Sequence, residues 1–233
     1  MDTAGINFLG IGIYSVSEAS RLTGVPARTI RRWAMGYRFT TGTGRHTSAP
    51  LWAPELPRLE GRVALGFRDL IEVRVIQALL GKDISWHRIR RIGSGMARIL
   101  NTDHPFSTAK FKTDGYRIYA DLPKPHGRGA LVEPESFQLA LRKIIEPFLS
   151  DIEFGDGGGA ARWWPLGKKD KSVVIDPQRA FGRPIINSAG VPTAVLAAAY
   201  QAEGQDADVV AHWYDLPKAA VLKAVAFERR LAA

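Results

Sequence analysis

The stretch YSVSEASRLTGVPARTIRRW, residues 14–33, predicts a helix, a tight turn and a second helix. Ser15 and Glu18 have the spacing of a capping box, in which the serine hydroxyl accepts from the third amide of a helix and the glutamate folds back to the first. Gly24 tolerates a left-handed backbone at the end of that helix, and Pro26 suits the start of the next one. We therefore expect a helix-turn-helix here.

The second helix of this motif, expected from about residue 27 to 34, presents arginines. Ile30 and Trp33 fall on the face toward the first helix. The residues on the opposite face are Arg28, Thr29, Arg31 and Arg32. Such a helix can enter the major groove of DNA, where arginine pairs with phosphates and matches the O6 and N7 atoms of guanine. Because capping, turn and charge agree, we favour DNA binding over a plain helical hairpin with a basic surface.

The positive charge of the chain is concentrated in its N-terminal part. The net charge is +9, and residues 19–54 contain six arginines and no acid. From residue 172 to the end there are six basic and six acidic residues, so the excess lies earlier in the chain. A surface of this kind favours a polyanionic partner, and double-stranded DNA is the partner we predict.

Composition and motifs exclude several classes of protein. The chain has no cysteine, lacks an apolar run long enough to cross a bilayer, and does not begin like a secretory signal, so we expect a cytoplasmic protein without disulfides and no membrane partner. Its five histidines are scattered, without the spacing of metal ligands. Neither a nucleophile elbow nor a dinucleotide-binding glycine motif is present. We therefore predict that the chain is not an enzyme, with no catalytic residues, metal or cofactor.

Apolar periodicity divides the rest of the chain into helices and hairpins. Helices are expected at residues 65–80, 85–100, 135–149, 193–204, 206–214 and 217–231. In the second of these, Ile89, Ile92, Met96 and Ile99 should face inward. Hairpins are expected around the turns at residues 113–115 and 155–159. Thr193 and Asp206 are predicted as helix caps.

The fold class is therefore mainly α with small β hairpins (α+β). We predict a DNA-binding domain in residues 1–100, a connecting region in residues 101–171, and a helical domain of three helices, helix-turn-helix-like in spacing, in residues 172–233. The lysine-rich segment at residues 168–171 marks the second boundary. Because the last domain is neutral, we assign it to protein contact before DNA.

The N-terminal part resembles the MerR family of DNA-binding domains. The residues that carry the resemblance are 14–33, followed by FRDLIEVRVI at 67–76 and ISWHRIRRI at 84–92. The resemblance implies a winged helix-turn-helix whose second helix reads DNA. It also implies a wing in the basic loop from Tyr37 to Arg45, which adds Arg38 and Arg45 to the predicted DNA contacts.

The C-terminal part looks like the small helical domain of VapB-type antitoxins whose partners are PIN-like toxins. The residues that carry this resemblance are VVIDP at 173–177, FGRPII at 181–186 and VPT at 191–193, with WWPL at 163–166 just before them. Ser188, Ala189 and Gly190 stand where many members carry a Gly-Thr-Arg turn. The resemblance implies an antitoxin of a toxin-antitoxin system that neutralises a nuclease and represses its own operon.

Arg229 and Arg230 are the predicted toxin contacts. PIN-type nucleases cluster carboxylates around a divalent metal, so an inserted arginine would compete with the metal or the phosphate. The same arginines also suit the C-terminal dipole of their own helix, and this interpretation has equal weight.

An alternative function is a MerR-like transcription regulator that senses a small molecule through its C-terminal part. That hypothesis expects a pocket lined by Trp163, Trp164, Trp213 and Tyr214, although core positions would explain most of them. A nucleic-acid-processing enzyme ranks third because catalytic motifs are missing. For either regulator we expect a homodimer, since helix-turn-helix proteins usually read two half-sites through two-fold symmetry.

Overall fold

Helices alternate with two-stranded antiparallel hairpins in the computed structural model, which describes residues 8–111 and 145–232. The predicted mixture of helices and small hairpins is confirmed. The N-terminal elements are β1 (Tyr14–Ser15), α1 (Val16–Thr23), α2 (Ala27–Met35), β2 (Tyr37–Thr41), β3 (Gly44–Ser48), β4 (Ala64–Leu65), α3 (Phe67–Leu80) and α4 (Trp86–Leu100). The later elements are β5 (Ile152–Phe154), β6 (Ala160–Trp163), β7 (Val173–Val174), β8 (Ile185–Ile186), α5 (Thr193–Ala202), α6 (Ala207–Trp213) and α7 (Lys218–Ala232).

The helix-turn-helix forms as its sequence predicts. Ser15 Oγ accepts from the Glu18 amide at 3.1 Å, and the Glu18 carboxylate accepts from the Ser15 amide at 2.8 Å, which completes the capping box. Gly24 ends α1 in a left-handed conformation with φ 73°. Helix α2 then begins directly after Pro26, and Ile30 and Trp33 are buried against the core.

The segment after α2 is a β hairpin. Strands β2 and β3 pair from Tyr37–Ser48 at the base to Thr41–Gly44 at the tip, which leaves Gly42 and Thr43 as a two-residue turn. The hairpin extends the predicted wing, from Tyr37 to Arg45, by three residues. We call β2, β3 and their turn the wing.

Helices α3 and α4 form the core behind the helix-turn-helix. Leu65, expected in a helix, lies in β4 instead, where it pairs with Tyr14 of β1, so α3 begins at Phe67. In α4, Ile89, Ile92 and Met96 are fully buried as predicted, but Ile99 is 56% exposed. The prediction for Ile99 was wrong: it lies in the last turn of α4, and the buried residues of this helix end at Met96.

The connecting region is described only in part. Residues 109–111 are helical, which contradicts the predicted strand at Lys110 and Phe111. The rest of that hairpin, and residues 135–144 of the next predicted helix, lie outside the described residues. Residues 145–150 are helical as expected. The second hairpin is confirmed, with β5 antiparallel to β6 across the glycine-rich turn.

Residues 193–232 form three helices around a second core. The predicted cap Asp206 accepts from the amides of Asp208 and Val209. The prediction for Thr193 was wrong: its hydroxyl donates to the Pro184 carbonyl and bonds to the Glu228 carboxylate, and α5 has no side-chain cap. Buried side chains from β7, β8 and α5–α7 close this core.

The N-terminal elements contact the segment that leads into the C-terminal helices. Ile175 belongs to the N-terminal core, and the backbone of Ile13 donates to Phe181. The Tyr14 hydroxyl, which burial holds at a raised pKa, donates to the Gly182 carbonyl at 2.8 Å. The proposed domain boundary at residue 171 stays a prediction. Within residues 8–111 and 145–232, no helix is long and apolar enough to span a membrane.

Candidate nucleic-acid interface

The outer face of α2 is a row of exposed arginines. Arg28, Arg31 and Arg32 are exposed, and Thr29 is partly exposed between them. The inner face holds the helix in place, since Ile30 is fully buried and Trp33 stacks on Trp86 of α4 with ring centroids 5.8 Å apart. All four predicted α2 contacts therefore share one accessible surface on a firmly packed helix.

Arg32 connects α2 to the wing. Its guanidinium lies 3.8 Å from the centre of the Tyr37 ring, within cation–π range. Along the same face of the wing the Tyr37 and Phe39 rings are 5.7 Å apart, and Phe39 stacks on His46 at 5.4 Å. We call the side chains of Tyr37, Phe39 and His46 the aromatic face of the wing.

The register of the wing places its arginines on the other face. Arg38 pairs with Thr47, and Thr40 pairs with Arg45. Since side chains alternate across a strand, Arg38 and Arg45 share the face opposite Phe39 and His46. Both are exposed. The six residues predicted as DNA contacts thus separate into the α2 set and a wing pair on the far side of the hairpin.

The aromatic face was missed by sequence reasoning. The signal was present, because Tyr37 and Phe39 alternate by two in a segment where helix periodicity is absent. Without the hairpin register, however, the sequence could not place His46 beside Phe39 or Arg45 on the face of Arg38.

Arg90 of α4 braces the base of the wing. Its guanidinium donates to the Ser48 hydroxyl at 3.0 Å and to the carbonyls of Ala49 at 2.8 Å and Pro50 at 3.3 Å. Three acceptors on consecutive residues fix the chain as it leaves β3. A positioned wing loses less conformational entropy on binding than a free loop.

A buried carboxylate holds the segment after the wing against α3. Asp69 is fully buried, and it accepts from the Trp52 indole at 2.7 Å, the Gly66 amide at 2.7 Å and the Glu55 amide at 3.2 Å. His104 Nε2 lies 2.8 Å from the same carboxylate. The sequence placed Asp69 on an apolar helix, next to Gly66, but it did not indicate Trp52, Glu55 or His104, which come from two distant segments.

Glu72, one turn further along α3, is also buried and accepts from the Ser107 amide at 2.8 Å. Burial raises its pKa to about 8, against an opposing effect of His104. Burial alone would lower the pKa of His104, but the hydrogen bond and charge of Asp69, together with Glu72 and Glu55, raise it. Within residues 8–111 and 145–232, no group of three acidic or histidine side chains is placed to hold a metal ion.

Two family models match separate parts of the chain. Residues 12–92 match the model described as "Putative DNA-binding HTH domain". The N-terminal unit is a helix-turn-helix domain. Residues 173–227 match the model described as "Protein of unknown function (DUF433)".

A curated relative and a solved structure extend the likeness beyond the helix-turn-helix domain. "Putative antitoxin VapB45" from Mycobacterium tuberculosis is 27% identical over 193 residues, which cover 79% of this chain and 80% of the relative. The crystal structure of Rv2018 from Mycobacterium tuberculosis has a TM-score of 0.69 at 23% identity, and the match covers 93% of this chain and 99% of that one. The structural likeness shows a shared fold that includes both the helix-turn-helix domain and the C-terminal helices.

The predicted toxin contacts lie on the last helix, whereas the arginine row lies on α2. Arg229 and Arg230 are both exposed near the end of α7. Arg230 donates to the Pro165 carbonyl at 3.0 Å and lies over the Phe227 ring at 5.3 Å. Lys223, two turns earlier on the same side, pairs with Asp170 at 2.6 Å. The helix is therefore fastened to the segment at residues 165–170.

The aromatic residues of the alternative hypothesis do not come together. Trp163 is buried in the N-terminal core, Trp164 in a small cluster with Val174 and Ile185, and Tyr214 packs on the C-terminal core. Trp213 is 59% exposed. The pocket that this hypothesis required of these four side chains is not formed by them.

Proposed function

We propose that this chain is an antitoxin that binds operator DNA through its helix-turn-helix domain and neutralises a nuclease toxin through its C-terminal helices. The observation that carries the DNA half is the acid-free row of exposed arginines on α2. The antitoxin half is supported by the likeness to "Putative antitoxin VapB45" over most of both chains.

The DNA interface has the two parts that duplex recognition needs. Helix α2 exposes Arg28, Arg31 and Arg32, and the major groove admits an α-helix. The wing, held by Arg90, stands beside it and reaches the backbone next to that groove. The domain resembles the MerR type in this order of elements, and we assign it to that type as part of the proposal.

The toxin is a PIN-like nuclease in this proposal. Such an enzyme gathers carboxylates for divalent metal, and a cationic helix end is complementary to that site. Arg229 is exposed near the end of α7, while Arg230 would have to exchange its bond to Pro165 for one to the partner. We therefore assign the larger share of toxin binding to Arg229.

Repression of the chain's own operon follows if toxin and antitoxin genes share a promoter. A homodimer would place two α2 helices on successive major grooves about 34 Å apart, which matches a palindromic operator. Two copies also double the phosphate contacts, so repression becomes tighter and more salt-dependent.

The test is co-expression of the tagged full-length chain with the adjacent open reading frame, which is also expressed alone. We expect the neighbour alone to arrest growth, and the pair to grow and to co-purify. Promoter DNA should bind the chain in a mobility-shift assay. A neighbour that is harmless and does not co-purify would contradict the antitoxin function.

Surface variants of the full-length chain separate the two activities. Arg28→Ala with Arg32→Ala should weaken DNA binding and leave toxin binding intact, whereas Arg229→Ala with Arg230→Ala should do the reverse. Lys82→Ala with Arg98→Ala, two exposed cations outside both surfaces, removes the same charge and is the control. Loss of both activities from either pair, with folding intact, would contradict the assignment of the two functions to separate surfaces.

A further inference from the structure

Phe39 is an exposed aromatic side chain inside the arginine-rich surface. It lies on β2 with 41% of its surface accessible, and it belongs to none of the hydrophobic clusters in the described part of the chain. Single exposed apolar residues are common on proteins. What distinguishes Phe39 is its stacked partner His46 and its position beside the DNA-reading helix.

The aromatic face of the wing is turned toward α2. Arg32 projects from α2 and lies over Tyr37, so the rings of Tyr37, Phe39 and His46 continue from α2 to the middle of the wing. When α2 lies in a major groove, the sugar-phosphate strand that bounds this groove passes between helix and wing. Beyond that strand begins the minor groove. In that arrangement the exposed ring of Phe39 would face sugars and base edges.

We propose that Phe39, stacked on His46, is a specific contact of the wing with the deoxyribose and minor-groove edge of the duplex next to the site read by α2. This inference rests on the proposed DNA binding. Aromatic side chains are used in this way where a protein meets the apolar parts of DNA, since sugar and base faces carry no charge. Arg38 and Arg45, on the opposite face, are then not the principal wing contacts.

An apolar contact has a thermodynamic signature that an arginine contact lacks. Each protein cation that neutralises a phosphate releases condensed counterions from the DNA. Removal of such a cation therefore reduces the magnitude of the slope of log K against log salt by about 1. A phenyl ring releases none. Removal of Phe39 should therefore weaken binding by about tenfold at every salt concentration and leave the slope unchanged.

The experiment uses the full-length chain and a duplex that covers the sequence immediately upstream of its gene. Fluorescence anisotropy titrations over a series of KCl concentrations would compare the unaltered chain with Phe39→Ala, Arg28→Ala and Thr47→Ala. Thr47 is exposed on the opposite face of the wing and is the matched control. In parallel, a photo-reactive benzoylphenylalanine at position 39 or at position 47 tests contact directly.

We expect Phe39→Ala to bind more weakly with an unchanged slope of log K against log salt, and Arg28→Ala to lower that slope. Thr47→Ala should change neither affinity nor slope. Cross-linking to DNA should occur from position 39 and not from position 47. If Phe39→Ala binds as well as the unaltered chain, or lowers the slope as Arg28→Ala does, the inference is overturned; the second outcome means that the ring only positions arginines. If the unaltered chain fails to bind, the proposed DNA binding fails and the inference fails with it.

Discussion

Arg21, in the last turn of α1, donates to the carboxylate of Glu228 in α7 at 3.2 Å, across 207 positions of sequence. Glu228 also bonds to the Thr193 hydroxyl at the start of α5. One carboxylate therefore ties the first helix of the helix-turn-helix domain to two helices of the C-terminal core.

The two partners of this ion pair should differ in their contribution to stability. The Arg21 side chain is 53% exposed and Glu228 is 14% exposed, so solvent screens the ion pair itself. We expect Arg21→Ala to lower the free energy of unfolding by less than about 1 kcal/mol. Glu228→Ala should lower it by about 1 to 2 kcal/mol, because it also removes the hydrogen bond to Thr193 and leaves that hydroxyl only its 3.3 Å contact with the Pro184 carbonyl. Urea denaturation measures both, and equal losses would contradict the role of Thr193.

Gly182 should not tolerate a side chain. Its φ is +79°, and a Cβ atom at this position would collide with the Tyr14 hydroxyl and come within 3.1 Å of Gly12 Cα. We expect Gly182→Ala to destabilise the chain by about 2 to 4 kcal/mol through backbone strain and overpacking. Adding Tyr14→Phe removes the hydroxyl and should recover part of the loss, which thermal denaturation would detect. Gly157→Ala, where a Cβ meets open space, is the control.

Asp69 should be among the most sensitive polar positions in the core. Asp69→Ala leaves the Trp52 indole, the Gly66 amide and the His104 ring without their buried acceptor. Loss of such a network should cost about 3 to 5 kcal/mol in the free energy of unfolding. Asp208→Ala, at a carboxylate whose side chain is 70% exposed, should cost far less. A similar midpoint of urea denaturation for both variants would show that the network is energetically unimportant.

Stability should fall as pH rises from about 5 to about 8. Glu72 has a pKa of about 8 in the folded chain against 4.5 ordinarily, so between these values the folded chain holds a proton that the unfolded chain has lost. His104, with a raised pKa, acts in the same direction: its stabilisation is complete below about pH 6.5 and is lost as pH rises through the folded pKa.

The expected loss is on the order of 1 kcal/mol per pH unit across this window. Asp170 does not contribute in this pH range, because hydrogen bonds from Lys223 and Ser172 lower its pKa. Its contribution to stability is lost only in acid. Glu72→Gln keeps an acceptor for the Ser107 amide and should flatten the pH profile measured by urea denaturation. Exposed Glu60→Gln should leave it unchanged, and an unaltered slope in Glu72→Gln would contradict the assignment.

Local signals predicted the helix-turn-helix because every group they involve lies within a few residues. Ser15 and Glu18 cap the helix they begin, and Gly24 supplies the conformation that ends it. The same holds for the cap at Asp206. Where an element depended on a distant partner the prediction failed: Leu65 joins a strand because Tyr14 pairs with it, and Thr193 bonds to Glu228 instead of capping its helix.

By itself, the sequence predicted the helices α2 and α7 that carry the arginines, and it showed that the positive charge lies in the N-terminal part of the chain. Both follow from neighbouring residues, because charge and helical periodicity are local properties. Only the tertiary structure decided which arginines act together. The strand register turned Arg38 and Arg45 away from α2 and brought Tyr37, Phe39 and His46 toward it. The contacts of buried Asp69 with Trp52 and His104 and the Arg21–Glu228 pair arose in the same way, because such contacts exist only once packing has brought remote side chains together.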